Sequence, residues 1–395
     1  FGYRYMVGGI AETAGAAGTR WKSSLALANP RSEPVDATLT YRHQDGTDSA
    51  ELTVPGEHIV EVDNVAVELF GRPDSSGVVD VQASDQLVVT ARTYNDAPAG
   101  TFGQYLPGVM SDEAVSTGQR GVLSQLSSNA AFRTNIGFVN LGGYPAQARI
   151  RLFDGGGAAR GSELVELVPA GRWLQVNRVF QAAGAGTCQG CYALIDAVSD
   201  GEAWIWAYAS VVDNGSGDPT TIPLTILYDN VPDADVLVAG IADIDGAEGT
   251  RWASNLALLN LSGAAINGTA EYRYGGGTAQ ADFAVGDGEL LEWENVAVAL
   301  GAPDSSGAVA IVADGPAVVT ARTFNNAPEG TFGQFLLGVG ASSATGPPQG
   351  LNGSLYQIKS TGDFRTNVGF TNFSDAPCDV TVTLHGADGS QLGSP

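Results

Sequence analysis

The stretch Trp21-Lys-Ser-Ser-Leu-Ala-Leu-Ala-Asn29 contains an aromatic residue, two hydroxyl residues, alternating larger and smaller apolar residues and a terminal Asn. Alternation with a period of two predicts a β-strand with one buried face. The Asn favours a turn, because Asn tolerates left-handed backbone angles and hydrogen-bonds its own backbone. The same frame recurs three times, which predicts a repeated β-module. The further copies are Phe132–Asn140, Trp252–Asn260 and Phe364–Asn372.

A second set of repeats has about twice that spacing and is closer in sequence. Val89-Thr-Ala-Arg-Thr-Tyr-Asn95 returns as Val319-Thr-Ala-Arg-Thr-Phe-Asn325, about 230 residues later. Two module types of roughly 115 residues each therefore alternate in the order ABA′B′. The other echoes are Val7–Ala11 with Val238–Ala242, Gly18–Trp21 with Gly249–Trp252, Pro73–Gly77 with Pro303–Gly307, and Gly100–Gln104 with Gly330–Gln334.

The repeats predict three whole modules and one partial module. They span residues 1–112 (A), 113–230 (B), 231–344 (A′) and 345–395 (B′). Residues after 345 match only the first half of module B, and half of a β-module leaves strand edges unpaired. Two explanations stay open: the protein continues beyond these residues, or a neighbouring subunit supplies the missing strands by strand addition.

Strand-sized segments separated by turn clusters predict an all-β fold. Ala148-Arg-Ile-Arg-Leu-Phe153 and Asp379-Val-Thr-Val-Thr-Leu384 alternate along their length, and clusters such as Asp154-Gly-Gly-Gly157 separate the segments. Only Val62–Phe70 and its counterpart near Asn295 suit a helical turn. We expect tandem antiparallel β-sandwiches, immunoglobulin-like in the loose sense.

Two repeated features are interpreted as structural. The aromatic residue that opens each copy of the motif, such as Trp21, is expected to anchor the core of its module. Arg92 and Arg322 lie inside predicted strands, where a buried guanidinium needs a partner. The repeated Asp74 and Asp304 are the candidate partners.

The charge balance excludes several partners. The chain has 43 acidic and 19 basic residues and a formal net charge of −24. Such a surface repels phosphate backbones and anionic lipid, so we expect no nucleic-acid partner and no binding to membrane surfaces. No run of 18 apolar residues occurs, so no direct membrane insertion is expected. The first residues, Phe1–Met6, lack a signal pattern and are interpreted as a mature N-terminus or a piece of a longer chain.

Little in the sequence points to catalysis. His43, His58 and His385 have neither zinc-type nor triad-type spacing, and we expect them to face solvent. No nucleophile elbow, phosphate-binding loop or dinucleotide fingerprint occurs. Asp213–Asp218 and Asp243–Gly246 resemble calcium loops without the closing Glu, so turns are favoured and a structural Ca²⁺ stays an alternative. We predict no enzymatic activity and no catalytic, cofactor-binding or metal-binding residues.

The cysteines favour an oxidising compartment. Cys188-Gln-Gly-Cys191 precedes a predicted strand, whereas a redox motif needs a following helix. We therefore predict a small-loop disulfide between Cys188 and Cys191 that pins a turn of an extracellular protein. Cys378 is left over, and a buried thiol or a partner outside this chain are the two alternatives.

Trp204-Ile-Trp-Ala-Tyr208 is the best candidate for a binding surface. In a strand, Trp204, Trp206 and Tyr208 lie on one face. This aromatic strip suits the core or a contact between modules, and a subunit contact or a carbohydrate ligand are the alternatives. Sequons at Asn214 and Asn267 are the plausible glycosylation acceptors if the host glycosylates.

The module pattern resembles the tandem immunoglobulin-like β-sandwich repeats of large secreted or cell-surface proteins of environmental bacteria. The residues that carry the resemblance are the Gly18–Trp21 opening, Thr90–Asn95, Gly100–Gln104, and Ala209–Asn214 with Gly217–Thr220. The resemblance covers almost the whole chain. It implies an extracellular or cell-surface location and brings no assigned activity.

Three functional hypotheses follow. In the first, the modules stack as a building block of a surface filament, stalk or sheath, through self-association or contact with a neighbouring surface protein. In the second, the chain is an adhesin or a carbohydrate-binding array with a glycan as partner. In the third, it is the accessory region of a larger secreted enzyme. We favour the first hypothesis.

Overall fold

The computed structural model describes residues 2–15, 18–97, 100–227, 235–340, 353–372 and 376–394. Strands account for 60% of the structure and helices for 5%, and the sheets are antiparallel, so the predicted all-β class is confirmed. The predicted module boundary at 112/113 falls in the short 3-10 helix Ser111–Glu113. The boundaries at 230/231 and 344/345 lie outside the described residues.

The first group of strands, here called unit 1, is one sheet that folds over onto itself. The strand order is β4-β3-β6-β1-β2-β7-β8, and β5 lies beside β2. The turn-over occurs in β1, which pairs with β6 over most of its length and with β2 only at Thr13 and Ala14. The strands are β1 (Tyr3–Ala14), β2 (Arg20–Ala28), β3 (Val35–His43), β4 (Gly46–Val54), β5 (Ile59–Val62), β6 (Ser75–Ala83), β7 (Val88–Ala97) and β8 (Gly100–Pro107).

Unit 2 divides the same arrangement between two separate sheets. Their orders are β13-β12-β15-β10-β18 and β14-β11-β16-β17, with β9 beside β16. One apolar cluster lies between them and includes Leu123, Ile150 and Phe138. The strands are β9 (Val115–Ser116), β10 (Arg120–Ser128), β11 (Phe132–Asn140), β12 (Ala146–Phe153), β13 (Ala159–Val168), β14 (Trp173–Val176), β15 (Cys188–Val198), β16 (Trp204–Asp213), β17 (Pro219–Pro223) and β18 (Thr225–Leu227).

Unit 3 repeats the eight strands of unit 1 in the same order and has one further strand, β27. Its order is β22-β21-β24-β19-β20-β25-β26, with β23 beside β20 and β27 beside β19. The strands are β19 (Asp235–Asp245), β20 (Arg251–Leu259), β21 (Ile266–Tyr274), β22 (Gly277–Val285), β23 (Leu290–Trp293), β24 (Ser305–Ala313), β25 (Val318–Ala327), β26 (Gly330–Leu337) and β27 (Val339–Gly340); a short 3-10 helix, Ala247–Gly249, precedes β20.

Each unit contains one helical turn at the same place. The predicted turns are α1 (Val65–Glu68) in unit 1 and α3 (Val296–Ala299) in unit 3, and both are confirmed. A third turn, α2 (Val179–Ala182), occupies the same position in unit 2 and was not expected. Each turn buries two apolar residues, for example Val179 and Phe180, and so closes one end of the core.

The segment after residue 352 forms little regular structure among its described residues. Its one ladder joins β28 (Leu384–His385) to β29 (Gln391–Leu392), and Phe370 is 58% exposed. The first long strands of unit 2, β10 and β11, pair with strands that come later in the chain: β10 with β15 and β18, and β11 with β14 and β16.

The Asn that ends the repeated motif holds three chain segments together. Asn140 donates from Nδ2 to the carbonyl oxygens of Tyr144 (2.8 Å) and Val168 (2.9 Å) and accepts from the amide of Gly142 (2.9 Å). Asn29 and Asn260 make the corresponding bonds. The turn was predicted, whereas the bond to the end of the neighbouring hairpin was not. These amides are almost fully buried, and the bond from Asn140 to Val168 satisfies a carbonyl that water cannot reach.

The aromatic residues of the repeated motif do not fill the cores as predicted. None of them is fully buried: Trp21, Phe132 and Trp252 are half-buried, although Phe132 packs against the core of unit 2, and Phe364 is 41% exposed. Aliphatic strand residues such as Leu25 fill the cores instead, because the aromatic residue lies at the outer end of its strand.

The predicted pairing of Arg92 and Arg322 with Asp74 and Asp304 does not occur. Arg92 donates to Thr101, and Arg322 donates to threonine hydroxyls. The two aspartates instead contact Arg20 (3.3 Å) and Arg251 (3.1 Å), the arginines of the repeated Gly-Thr-Arg-Trp opening. His43 is also not solvent-facing: it is 3% exposed, and its Nε2 lies 2.8 Å from Asp48 Oδ2.

Replacing the side-chain amide of Asn140 is expected to destabilise unit 2. Asn140→Ala removes a donor from the buried carbonyl of Val168 and from the partly buried carbonyl of Tyr144, so the free energy of unfolding should fall by about 2–4 kcal/mol. Urea unfolding of the full chain, followed by Trp fluorescence, measures this. The control is Asn177→Ala at an exposed position, which should change little. Equal stability of the two variants would contradict the locking role.

Candidate functional site

Among the described residues, no group of three or more His, Cys, Asp or Glu is placed to hold a metal ion. None of the helices in that part of the chain is long and apolar enough to cross a membrane. The most distinctive side-chain arrangement is instead a set of aromatic residues buried between unit 1 and unit 2.

The predicted aromatic strip lies on β16 and faces unit 1. Trp206 is 3% exposed and Tyr208 is 1% exposed, and both belong to the apolar cluster of unit 1 rather than to that of their own unit. Trp204 is half-buried against the same cluster. The opposite face of β16, with Ile205 and Ala207, belongs to the core of unit 2. Both faces of this strand are therefore buried, one in each unit.

Two glycines make room for the Tyr208 ring. A β-carbon at Gly9 would lie 2.5 Å from Tyr208 Oη, and one at Gly137 would lie 2.4 Å from the ring. Gly9 has a φ of 79° and forms a bulge in β1 between Gly8 and Ile10. Trp173 Nε1 donates to Tyr208 Oη over 3.3 Å. Burial, opposed by that bond, raises the pKa of Tyr208, so the hydroxyl stays neutral.

Ionic and backbone contacts surround this aromatic contact. Arg4 and Arg42 both bind Asp80, whose side chain is fully buried, over 2.9 and 2.7 Å. Arg4 also donates to the carbonyl of Leu141 in unit 2. Arg172 of unit 2 donates to the carbonyls of His43 and Gly46 in unit 1. The contact thus has an apolar centre and a polar rim, the usual anatomy of a protein interface.

Unit 2 meets unit 3 through a second apolar cluster. Tyr192 and Leu194 of β15 pack with Leu259 and Leu290 of unit 3. Tyr192 Oη donates to the carbonyl of Gly288 over 2.9 Å, and burial raises the pKa of Tyr192 to about 12. The amide of Leu290 donates to the carbonyl of Gly155 over 2.8 Å.

The Asp213–Asp218 turn binds the β25–β26 hairpin of unit 3. Asp213 accepts from the amides of Gly215 and Ser216 and, in unit 3, from the amide and hydroxyl of Thr331, both over 2.9 Å. Burial would raise the pKa of Asp213, but these hydrogen bonds outweigh it and lower the value. The carboxylate that suggested a calcium loop therefore serves as an acceptor for backbone and hydroxyl donors.

Asp218 has the opposite electrostatic behaviour. It accepts one bond, from the amide of Gly333 over 3.1 Å. Burial raises its pKa to about 6, although Arg322 lowers it. Arg322 Nε donates to Thr220 Oγ1 over 2.8 Å, and burial lowers the pKa of this guanidinium.

Units 1 and 3 also touch each other. Phe102 on β8 and Phe332 on β26 lie with ring centroids 5.2 Å apart, in equivalent hairpins of the two units. Strand β17 of unit 2 contacts both hairpins. The three units thus contact one another mutually, whereas an end-to-end stack would join only consecutive units.

Two of the remaining candidates, the Cys188–Cys191 loop and Asn214, lie beside the contact with unit 3. A disulfide joins Cys188 to Cys191 at the start of β15, and Cys378 is exposed rather than buried. Asn214 and Asn267 are both exposed, with amide nitrogens that donate to Ala130 and Asp314. Asp243, in the other calcium-like segment, binds Arg251 over 2.8 Å.

The sequence signals for the aromatic contact were only partly readable. The strip itself was visible in the alternation of β16. The depression that receives it was not, because Gly8 and Gly9 look like ordinary strand or turn glycines in a chain with 53 glycines. The repeat of Gly9 as Gly240 and of Gly137 as Gly369 was the available signal.

No model of a known protein family matches this chain, and no curated protein matches it. The class that the fold defines is an all-β chain of several antiparallel, sandwich-like sheets.

A methyl group at Gly137 should disturb the contact between units 1 and 2. The β-carbon of Gly137→Ala would overlap the Tyr208 ring, so we expect the free energy of unfolding to fall by about 1–3 kcal/mol. The matched control is Gly143→Ala, where a β-carbon meets nothing within 4 Å. Thermal unfolding of both variants measures the difference, and equal midpoints would show that Tyr208 is not confined there.

Because of Asp218, the free energy of unfolding should depend on pH in an unusual way. Its native pKa of about 6 exceeds the ordinary value of 3.8, so the ionised side chain destabilises the native state above pH 6. Asp218→Asn should therefore raise the free energy of unfolding near pH 7.5, by up to about 3 kcal/mol, and this gain should disappear as the pH falls towards about 4.

Urea titrations between pH 4 and 8 measure this effect. Asp200→Asn, at an exposed turn, is the control and should show no such gain. An Asp218→Asn variant that is less stable than wild type throughout this range would contradict the assignment of burial as the dominant effect.

Proposed function

We propose that this chain is a non-enzymatic structural protein, a building block of an extracellular filament, stalk or sheath made of immunoglobulin-like modules in the order ABA′B′. The observation that carries this proposal is the burial of Trp206 and Tyr208 of unit 2 in the apolar cluster of unit 1. Large aromatic side chains in a confined apolar contact fix the relative position of two modules, which a load-bearing assembly needs.

Further contacts support a structural role. Ionisable side chains are engaged between units: Asp213, which the sequence placed in a calcium-like loop, binds Thr331, and Arg172 binds backbone carbonyls of unit 1. The Cys188–Cys191 disulfide is typical of an oxidising, extracellular compartment. The net charge of −24 favours solubility outside the cell and repulsion of nucleic acid.

The mutual contacts of the three units define the building block. Because units 1 and 3 both touch β17, the proposed repeating element is a rigid three-unit block rather than a string of single modules. Assembly would then proceed between blocks, through self-association or contact with a neighbouring surface protein.

The alternative functions depend on other surfaces. A glycan cannot stack on Trp206 or Tyr208 while they are buried, so an adhesin would need a binding surface outside the strip. An accessory region of a larger enzyme would act as a spacer, and the same rigid block would serve it.

Electron microscopy of the producing cells, with gold-labelled antibodies against this chain, tests the proposal. We expect the label along filaments, stalks or a sheath, because rigid blocks that associate head to tail without closing into a ring form extended polymers. Label confined to monodisperse particles in the medium, together with monomeric behaviour of the purified native protein at high concentration, would contradict the structural role.

A further inference from the structure

The described residues 353–372 and 376–394, here called the C-terminal segment, contact unit 1 in the way that unit 2 contacts unit 3. In the sequence repeat this segment corresponds to the first half of unit 2, and unit 1 corresponds to unit 3. Contacts at equivalent residues recur at the two places. They involve strands β5 and β7 of unit 1 and strands β23 and β25 of unit 3.

The first recurring contact is a backbone hydrogen bond. The amide of Leu290 in β23 donates to the carbonyl of Gly155 in unit 2 over 2.8 Å. The amide of Ile59 in β5 donates to the carbonyl of Ala387 over the same distance, 2.8 Å. Ile59 repeats Leu290, and Ala387 repeats Gly155, so the two bonds are equivalent.

The second recurring contact is a close approach of two turns. A β-carbon at Gly157 would lie 2.8 Å from the carbonyl oxygen of Gly288, and one at Gly389 would lie 2.7 Å from that of Glu57. Gly389 repeats Gly157, and Glu57 repeats Gly288. All four residues have a positive φ, from 63° at Glu57 to 79° at Gly288. The same two turns therefore face each other at both places.

The third recurring contact involves the threonine of the repeated Val-Thr-Ala-Arg strand. Thr320 Oγ1 lies 3.1 Å from Ser124 Oγ of unit 2, and its counterpart Thr90 donates to Gln357 Oε1 over 2.7 Å. Gln357 repeats Gln125, the neighbour of Ser124, and the two glutamines have φ angles of 58° and 53°. Thr90 and Thr320 are 6% and 1% exposed, so both threonines are buried.

An ion pair adds to the contact of the C-terminal segment with unit 1. Lys359 Nζ lies 2.8 Å from Glu61 Oε1 in β5. In unit 3, Glu292 repeats Glu61, and a β-carbon at Gly190 of unit 2 would lie 2.5 Å from Glu292 Oε2. The same position of β5 and β23 thus faces the neighbouring part of the chain at both places.

The C-terminal segment also reaches unit 3. Gly369–Asn372 line a cavity of about 520 Å³ together with Leu237 and Gly240 of β19. Gly369–Asn372 repeat Gly137–Asn140 of β11, and Gly240 repeats Gly9, which lies in the contact between units 1 and 2. The segment therefore lies between unit 3 and unit 1, as unit 2 lies between unit 1 and unit 3.

We propose that the face of unit 1 formed by Glu57–Glu61 and Thr90 is a docking surface for the C-terminal segment of the same chain, and that the four parts of the chain close into a ring with an approximate two-fold axis. Units 1 and 3 exchange places about this axis, and so do unit 2 and the C-terminal segment. The contact of Phe102 with Phe332 supports such an axis. These are equivalent residues of units 1 and 3, and a residue touches its own counterpart only close to a two-fold axis.

A closed ring limits the surfaces that remain for assembly. This consequence rests on the proposed structural role: blocks that join into a polymer have to use surfaces other than the β5 face of unit 1, because the chain itself covers that face. The ring can also exist in a chain that forms no polymer. The docking and the structural role therefore fail separately in their experiments.

Carbodiimide cross-linking of the purified full chain tests the docking, because this reagent joins an amine only to a carboxylate in direct contact with it. The chain has two lysines, Lys22 and Lys359. Lys359 should couple to Glu61, whereas Lys22 should couple to Asp96, 2.7 Å away inside unit 1, and is the internal control. Peptide mass spectrometry should find both links in chains that run as monomers under denaturing conditions.

Two outcomes of the cross-linking would overturn the inference. Formation of the Lys22 link without the Lys359 link would show that the segment does not dock on unit 1. A Lys359 link that is confined to covalent dimers would make a second copy the occupant, so the ring would not close within one chain.

Hydrogen exchange tests whether the two contacts are equivalent. The methyl group of Gly389→Ala would overlap Glu57 and move Ala387 away from Ile59. Exchange of the Ile59 amide should therefore become at least about tenfold faster, while exchange of the Leu290 amide stays unchanged. Gly157→Ala should have the converse effect.

The matched control is Gly393→Ala. Gly393 has the same φ of 74° as Gly389, but a β-carbon there would meet nothing within 4 Å. Both variants thus carry the same backbone strain, and only Gly389→Ala overlaps unit 1. Equal exchange of the Ile59 amide in these two variants would overturn the inference.

Discussion

The confinement of the Tyr208 ring between Gly9 and Gly137 is the constraint on which the arrangement of the units depends. It requires a bulge in β1, a glycine in β11 and a strand, β16, that is apolar on both faces. Burying a side chain of this size removes a large apolar area from water, and two units share the gain. Because interiors pack as densely as crystals, the ring leaves little freedom for unit 2 to pivot on unit 1.

Unit 2, which the Tyr208 contact holds against unit 1, also holds unit 3. The β15 face of unit 2 packs on unit 3 through Tyr192 and Leu194, and the Asp213 turn binds the hairpin that carries Thr331. The same hairpin reaches its counterpart in unit 1 through Phe102 and Phe332. Three units that each contact the other two form a stiffer arrangement than a row of units, since no unit can rotate without breaking two contacts.

The sequence alone predicted the all-β class, the strand alternation and two of the three helical turns, because these depend on local pattern. It identified Asn140 as a turn residue but not as a cross-strand lock, since the partner carbonyl of Val168 is 28 residues away. It placed Trp21 in a core and His43 in solvent, and both were wrong. Period-two patterns fix which face a side chain takes, but not how deep along the strand the core extends.

The candidate site was half predictable for a similar reason. Trp204, Trp206 and Tyr208 were recognisable as one face of a strand, yet nothing local shows that the face belongs to the core of the preceding unit. The acidic turn at Asp213 resembled a cation site because Asp and Gly also build turns that expose carboxylates. Its actual donors, such as Thr331, come from another unit and carry no sequence signal.

Small-angle X-ray scattering of the purified chain tests the mutual packing of the three units most directly. We expect one rigid particle with a radius of gyration not far above that of a compact chain of this length, about 21 Å. Gly137→Ala would be the accompanying variant, since it acts on the Tyr208 contact alone. A radius of gyration about half as large again, with the scattering profile of a flexible string of domains, would contradict the mutual packing of the three units.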